Sequence, residues 1–375
     1  MNIQERIYQS QNFKKFRFIF ISASPGSVTS FMKCEIPAKV LNCYDIDAAL
    51  IGKDDLSLYL KNTQENDIVI LSKVHPWLEE KTIELLLKIK SKVNKIFCEA
   101  SEEGSFDCFL SKFKLHKENL NTLSSEIIDG FLYETEELKS LIIEKIGNTS
   151  KFFYTRHLHS NCHQFLNPFS GINHNFEIKN EEDKISALSV QKFKEFNSVN
   201  CIGYIGHPKY CHDYLALNIA NYELSHKFGK TLKFVSSNPG PIHNVRDTLI
   251  VDFAFSLMEK NQHSEVYYDF KTSNKVNALW SLGIPALYSP LPSYQRVFSE
   301  CGIDINSWSF PTDYKNFDCN IRNSQSFGRA IALKIFDITS NSNFQEMRRA
   351  IFNASYNYNP MNIFWLYEEM FNFIK

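Results

Sequence analysis

Short apolar runs alternate with amphipathic helical patterns along this chain, and that alternation restricts its fold more than any other feature. Residues 18–21 (FIFI) form the first run, and a helical pattern follows near residues 32–43. Residues 68–71 (IVIL) form a second run, followed by an amphipathic pattern over residues 79–92. Such alternation is typical of βαβ units with parallel strands. The sequence therefore predicts an α/β fold.

The alternation occurs twice, with a break between the two series. The break contains Asn-Pro, Ser-Gly and an acidic run with little periodicity, which is typical of a linker. A chain of 375 residues is long enough for two domains. Two parallel sheets joined in this way form a cleft between the carboxyl ends of their strands, where such folds bind ligands. We predict an N-terminal Rossmann-like domain (1–164), a linker region (165–198), a C-terminal Rossmann-like domain (199–355) and a C-terminal helix (356–375).

The charge balance and the cysteines limit the possible partners and location. Lysine plus arginine number 41 and aspartate plus glutamate 42, so no strong field favours nucleic acid. The nine cysteines include no C-x-x-C pair, and no signal peptide precedes the first apolar run, which is too short to cross a bilayer. We expect reduced thiols and a cytoplasmic location.

The last predicted helix is aromatic and amphipathic. It covers residues 361–374 and carries Glu368 and Glu369, with only Lys375 beyond them. Acidic residues on the polar face disfavour an anionic membrane surface, so we expect this helix to pack back on the protein. Peripheral association with the inner face of the membrane stays open as an alternative.

Residues 271–275 (KTSNK) place two lysines at the predicted start of a helix that Gly283 and Pro285 end. Thr272, Ser273 or Asn274 can cap this helix. Positive charge opposes the positive end of the helix dipole, but a bound phosphate removes the conflict, because helix N-termini attract anions and lysines neutralise them. A solvated, capped helix start and a phosphate site are both compatible with these residues.

Three short segments resemble the C-terminal-domain motif of GT-B glycosyltransferases: KTSNK at 271–275, Gly-Ile-Pro at 283–285 and SPLPSY at 289–294. The resemblance implies two Rossmann-like domains facing a cleft, and sugar transfer from a nucleotide-activated donor to a hydroxyl acceptor. It also implies contacts to the donor phosphates from Lys271, Ser273, Asn274 and Lys275. Retaining members usually have a ribose-binding glutamate where this chain has Ala278, which leaves the donor nucleotide open.

The same resemblance implies that a second loop, which contains Gly206 and His207, lies near the donor. Gly206 and His207 follow the first predicted strand of the second series, and in GT-B enzymes that loop approaches the donor phosphates. A turn with a partly exposed histidine is the alternative. Together with the Glu-Glu-Gly segment at 102–104, the His-Pro pair also resembles bacterial sialyl- and Kdo-transferases, which use CMP-sugars.

The first series contains the candidate acceptor-side residues. His75 and Glu102 each follow a predicted strand, so each is a candidate general base if the reaction inverts the sugar. If the reaction retains the configuration, no base is obvious. The loop with Gly26 and Ser27 permits close approach of an acceptor sugar, and Lys33 beyond it is a candidate contact for an anionic acceptor.

The remaining expectations concern metals and alternative functions. His159 and His163 have a spacing found in zinc sites, but no C-x-x-C pair accompanies them, so we expect no metal and no cofactor; the nucleotide-sugar is a substrate.

The resemblance implies a role in bacterial surface polysaccharide or glycoconjugate synthesis. A GT-B sugar-nucleotide epimerase and a catalytically inactive GT-B scaffold are the alternatives. A two-lobed solute-binding protein should carry an export signal, which is not visible.

Overall fold

The computed structural model describes residues 3–27, 30–100, 115–146, 150–158, 201–206, 214–229, 231–236, 252–256, 272–281, 283–309 and 321–375. The strands in these ranges are β1 Arg17–Ser22, β2 Ala48–Gly52, β3 Asp67–Leu71, β4 Lys95–Ala100, β5 Gly130–Tyr133, β6 Phe152–Tyr154, β7 Cys201–Gly206, β8 Thr231–Ser236, β9 Phe253–Ser256 and β10 Ala286–Tyr288. The α-helices are α1 Ile3–Gln11, α2 Ile36–Cys43, α3 Leu56–Lys61, α4 Glu80–Lys90, α5 Lys117–Thr122, α6 Glu136–Ile146, α7 Tyr214–Phe228, α8 Asn274–Ser281, α9 Pro292–Glu300, α10 Ile321–Ser340, α11 Phe344–Ser355, α12 Ile363–Leu366 and α13 Glu368–Ile374. A π-helical turn, Phe31–Glu35, leads into α2, and another, Leu123–Ile127, follows α5.

The strands form two parallel sheets, which confirms the predicted α/β class. The first sheet has the order β2-β1-β3-β4-β5-β6, and the second has the order β10-β9-β7-β8. In the first sheet the strand order reverses between β1 and β3, and in the second it reverses between β7 and β9. Open α/β sheets bind ligands outside the carboxyl ends of the strands at such reversals.

Burial on both faces explains why the apolar runs became central strands. In β1, Phe18 and Phe20 pack into one buried cluster, whereas Ile19 and Ile21 pack into a second cluster on the other face. β3 is buried along its whole length. Parallel strands covered on both faces have continuous apolar sequences rather than alternating patterns. This is why β1 and β3 could be predicted from their apolar runs.

The end of the chain covers one face of the first sheet. The ring of Phe371 lies 4.7 Å from that of Phe13 and 5.8 Å from that of Phe18, and Phe373 packs 4.9 Å from Phe153. This confirms that the C-terminal segment packs back on the protein. The single helix predicted for residues 361–374 was wrong in one respect, because Tyr367 (φ −118°, ψ 33°) divides it into α12 and α13.

Several other boundaries differ from the sequence-based prediction. The sequence also predicts a strand over residues 93–98, and the structure places this strand, β4, at Lys95–Ala100. The prediction missed α1 and β5, a four-residue strand that starts with Gly130. The linker region 165–198 lies outside the described residues, so the domain boundaries stay predictions. Among the described helices, none has both the length and the apolar composition needed to cross a membrane.

Helices α7 and α10 pack closely in the second unit, which consists of the second sheet and the helices around it. A Cβ atom added at Gly328 of α10 would lie 2.5 Å from the carbonyl oxygen of Ala216 and 2.7 Å from Cβ of Ile219. These atoms belong to a neighbouring backbone and a branched side chain, so they cannot move aside easily. Glycine at this position therefore permits the helix contact.

We predict that Gly328→Ala destabilises the protein, although alanine is the better helix former by about 1 kcal/mol. The steric overlap should outweigh that gain and lower the free energy of unfolding by about 1–3 kcal/mol, measured by urea denaturation. Ser326→Ala, on the exposed side of the same helix, is the control and should not destabilise. An increase in stability in Gly328→Ala would contradict the packing described here.

Candidate active site

Residues 272–275 of the KTSNK segment lie at the start of α8, which begins at Asn274. Thr272 and Ser273 are buried, and the carbonyl oxygen of Ser273 accepts a hydrogen bond from the backbone N–H of Asn277. Asn274 and Lys275 are half-buried. The first turn of the helix is therefore packed against the protein rather than solvated along its whole surface.

A buried asparagine connects α8 to the end of the first α/β unit. The side-chain Nδ2 of Asn277 donates to the carbonyl oxygen of His157 (2.6 Å) and lies 3.3 Å from Oγ of Ser273. His157 follows β6, the last strand of the first sheet. The N-terminal half of α8 consequently lies at the contact between the two units.

The Gly-Ile-Pro segment forms a braced corner after α8. Gly283 has φ +64°, as expected for a left-handed residue at a helix end, and its N–H donates to the carbonyl oxygen of Trp280. Its own carbonyl oxygen accepts two hydrogen bonds, from Nε (3.2 Å) and Nη2 (3.1 Å) of Arg348 in α11. Burial lowers the pKa of Arg348 to about 10. This guanidinium fixes the connection between α8 and β10.

In the first unit, the loops after β1 and β3 contact each other. The backbone N–H of Ala23 donates to Oγ of Ser72 (3.1 Å). Gly26 has φ +80°, so this turn requires a glycine. The hydroxyl of Ser27 accepts from the N–H of Ser30 (3.1 Å), and its carbonyl accepts from the N–H of Phe31. Ser27 is therefore hydrogen-bonded to the residues that begin the π-helical turn before α2.

His75 begins a short 3₁₀ turn, His75–Trp77, after β3. The indole Nε1 of the buried Trp77 donates to the carbonyl oxygens of Ser72 (2.9 Å) and Lys73 (2.7 Å), which closes the loop on itself. His75 is half-buried. It lies beside the β1–β3 reversal, at the carboxyl edge of the first sheet, and its role as a base stays a prediction.

Lys33 lies in a buried ionic cluster with Glu99 of β4 and Glu134, which follows β5. Its Nζ is 2.7 Å from Oε1 of Glu99 and also pairs with Oε1 of Glu134. Burial raises the pKa of Glu99, and Lys33 partly offsets that rise. Burial alone lowers the pKa of Lys33, but the charges of Glu134 and Glu99 outweigh it and raise this pKa. An acceptor anion would have to compete with both carboxylates for Lys33.

The same edge of the first sheet contacts the second unit. Nη1 of Arg296 in α9 donates to the carbonyl oxygen of Glu134 (2.7 Å), and its guanidinium lies over the ring of Tyr154. Arg156 pairs with Glu300, also in α9. The loops at the carboxyl ends of β5 and β6 therefore lie next to the helix that follows β10.

The predicted site residues are placed in two groups. Ser273, Asn274 and Lys275 lie at the start of α8, and Gly206 is the last residue of β7, opposite Ser236 of β8. Gly26, Ser27, Lys33 and His75 lie at the carboxyl edge of the first sheet. Lys271, His207 and Glu102 lie outside the described residues. The contacts that these residues make with substrate stay predictions.

Sequence reasoning did not identify Asn277, Glu134 or Arg348. Asn277 is a polar residue within the apolar helix pattern of residues 276–282, and that exception to the pattern was its one visible signal. The described residues contain no group of three histidine, cysteine, aspartate or glutamate side chains arranged to hold a metal ion. His159 and His163 are not among them.

Solved structures share this architecture over nearly the whole chain. HepE from Anabaena in complex with UDP aligns with a TM-score of 0.55 and 9% identity, covering 96% of this chain and 99% of HepE. HepE in complex with UDP-glucose aligns with a TM-score of 0.51 at 10% identity, covering 95% of this chain and 99% of that one. Sucrose-phosphate synthase from Thermosynechococcus elongatus aligns with a TM-score of 0.51 at 8% identity, covering 95% and 99%. The sequence matches no protein-family model and no curated protein.

These alignments confirm the predicted GT-B fold. The identities of 8–10% are too low to extend the comparison beyond the fold. The chain therefore has the two-sheet architecture that its C-terminal motif implied.

We predict that Lys33→Met destabilises the protein by about 3–5 kcal/mol at pH 8, because it leaves two buried carboxylates without their cation. The pKa of Glu99 is already raised by burial, and the loss of Lys33 should raise it further. A raised carboxyl pKa means that the folded state binds the proton more tightly, so stability falls as pH rises above the unfolded pKa of about 4.3. The loss of unfolding free energy in Lys33→Met, measured by urea denaturation, should therefore be smaller at pH 5 than at pH 8.

Lys39→Met is the matched control. Lys39 pairs with Glu35 on the surface (2.7 Å), with half of its side chain exposed. An exposed pair of this kind contributes about 0–1 kcal/mol, so its loss should change stability little at either pH. If Lys33→Met loses the same unfolding free energy at pH 5 and at pH 8, the charge state assigned to the Lys33–Glu99–Glu134 cluster is wrong.

Proposed function

We propose that this protein is a glycosyltransferase that moves a sugar from a nucleotide-activated donor to a hydroxyl acceptor. One observation carries the proposal: residues 272–275 of the KTSNK motif lie at the start of α8, beside the contact between the two units of a GT-B fold. This is where the resemblance expects the donor phosphates. Both the fold and the position of the motif support the same function.

We further propose a uridine diphosphate sugar as the donor. HepE, which shares the fold, is described in complexes with UDP and with UDP-glucose. As the glycosidic bond to the donor breaks, negative charge develops on the leaving phosphate. The N-terminus of α8, with Lys275 and Lys271, supplies the preorganised positive groups that stabilise such charge. In this proposal the reaction needs no bound metal.

Ala278 bears on how the ribose of the donor is bound. It is half-buried one turn after Asn274, where the usual glutamate would hold the ribose. An alanine methyl group accepts no hydrogen bond, so α8 supplies no carboxylate at this position. In this proposal the ribose hydroxyls are bound by groups other than a carboxylate at position 278.

The acceptor and any general base are proposed to lie at the carboxyl edge of the first sheet. The loops after β1 and β3 meet there, and His75 and Glu102 are the candidate bases that would take the acceptor proton. As further parts of the same proposal, the acceptor is a glycan or glycolipid of bacterial surface polysaccharide synthesis. We also propose that the protein acts in the cytoplasm, either free or associated with the inner face of the membrane.

We predict that Lys275→Ala weakens the binding of UDP-glucose by about 10- to 150-fold, measured by titration calorimetry. This range corresponds to the 1.5–3 kcal/mol typical of a hydrogen bond to a charged group. Lys227→Ala removes a surface lysine of α7 that pairs with Glu223, and it serves as the control with unchanged affinity. If wild type binds no nucleotide-sugar in a panel of UDP-, GDP-, TDP- and CMP-sugars, the proposed function is wrong.

We predict that His75→Ala lowers turnover by about 10²- to 10⁴-fold at saturating donor and leaves donor affinity unchanged, because a general base acts on the acceptor proton only. Product formation from UDP-glucose is the measurement. The control is His226→Ala, which alters an exposed histidine of α7. A near-wild-type rate in His75→Ala would remove His75 from the reaction.

A further inference from the structure

Asn277 is a polar residue in the buried part of α8. It is fully buried, beside the buried apolar side chains of Val276 and Leu279. Its Nδ2 donates to the carbonyl oxygen of His157 and to Oγ of Ser273. Among the residues that the structure describes, Oδ1 of Asn277 has no hydrogen-bond partner. A buried acceptor without a partner costs free energy and offsets the gain from the Nδ2 bonds, so stability alone gives little reason for an asparagine at this position.

The surroundings of the Asn277 amide define which of its two atoms faces the first unit. A carbonyl oxygen can only accept a hydrogen bond, so the atom that lies 2.6 Å from the carbonyl oxygen of His157 is the donor, Nδ2. Nδ2 carries a second hydrogen, and Oγ of Ser273 lies 3.3 Å away. Ser273 belongs to the motif that is predicted to bind the donor phosphates. One nitrogen therefore links the start of the proposed donor helix to the backbone of the first unit.

The backbone around His157 is bonded firmly to the first unit. The N–H of Thr155 donates to the carbonyl oxygen of Tyr133 in β5 (2.8 Å). The N–H of Arg156 donates to the carbonyl oxygen of Leu366 in α12 (2.9 Å). The position of the His157 carbonyl therefore follows that of the first sheet and of the helices that cover it.

The other end of α8 is held within the second unit. The carbonyl oxygen of Gly283, just after the helix, accepts from Nε and Nη2 of Arg348 in α11. Asn277 holds the first half of α8 in a comparable way, but its partner His157 belongs to the first unit. Loss of the Asn277 bond would leave α8 fixed to the second unit and would remove a direct bond to the first.

We infer that Asn277 is a positioning residue for the proposed sugar transfer, because it fixes the donor end of α8 relative to the carboxyl edge of the first sheet. This inference rests on the proposed function, in which the acceptor binds at that edge. Reacting atoms must be held about 3–3.5 Å apart, and a displacement of about 1 Å can lower the rate about 10²-fold. Since donor and acceptor are held by different units, such a displacement slows transfer without weakening the binding of the donor.

The test measures donor affinity and turnover separately in the intact chain. The dissociation constant of UDP-glucose is measured by calorimetry. Turnover is measured as UDP release at saturating UDP-glucose, with octyl β-glucoside as the acceptor probe. Asn277→Leu keeps the approximate shape of the side chain and removes the hydrogen-bond donor. We expect turnover to fall at least about tenfold, and the dissociation constant to stay within about threefold of wild type.

Asn362→Leu is the matched control. Asn362 is also buried, its Nδ2 also donates to a backbone carbonyl oxygen at 2.6 Å, that of Tyr356, and its Oδ1 likewise has no partner among the described residues. Its bonds lie within residues 356–362 and do not join the two units. Turnover and affinity should both stay within about threefold of wild type in this variant. If Asn277→Leu does not fold, Asn277→Ala carries the test, because alanine adds no atoms and is the best helix former.

Wild-type turnover in the Asn277 variant would overturn the inference. A loss of UDP-glucose affinity that parallels the loss of turnover would also overturn it, because Asn277 would then act in donor binding. So would an equal loss of turnover in Asn362→Leu, because the effect would follow from the loss of any buried amide bond. Failure of the proposed function gives a different pattern: wild type then binds no UDP-glucose or releases no UDP, which removes both proposals, whereas failure of the inference alone leaves wild type active.

Discussion

Parallel pairing is the constraint on which the described structure depends. Each strand in the described ranges pairs in parallel, and a parallel sheet must be covered on both faces because its central strands are apolar on both. One face of the first sheet is covered by helices that lie between its strands in the sequence. The other face takes its cover partly from α12 and α13. Parallel pairing also places the loops after the strands at one edge, and the candidate acceptor residues therefore lie together.

Hydrogen bonds to backbone carbonyls are among the contacts between the two units. Asn277 bonds the carbonyl oxygen of His157, and Arg296 bonds that of Glu134. Both acceptors are backbone atoms near the carboxyl ends of first-sheet strands, and Asn277 belongs to the helix assigned to the donor phosphates. Within the described residues, these two hydrogen bonds connect the proposed donor site to the proposed acceptor edge.

Local patterns predicted those parts of the fold that depend on local physics. The buried strands β1 and β3 were visible as apolar runs, and the corner at Gly283 was visible because a left-handed helix end requires glycine. The ionic cluster around Lys33 was not visible, because its members come from three separate parts of the sequence. The left-handed backbone conformation of Lys73 (φ +62°) was equally hidden, and the carbonyl oxygen of this residue accepts hydrogen bonds from Trp77 and Cys98. Features that depend on contacts between distant parts of the chain are not visible in local sequence patterns.

The aromatic residues of α13 have a consequence for the order in which the two units fold. Phe371 and Phe373 pack on the rings of Phe18 and Phe153 in the first sheet, yet they follow β7–β10 in the sequence. Domains generally fold as units and N-terminal ones first during synthesis. Here the first sheet lacks part of its apolar cover until residues that follow the second sheet have been made. Phe18 and Phe97 gain their aromatic neighbours from α13 only at that stage, so the first unit cannot finish folding before the second sheet has been synthesised.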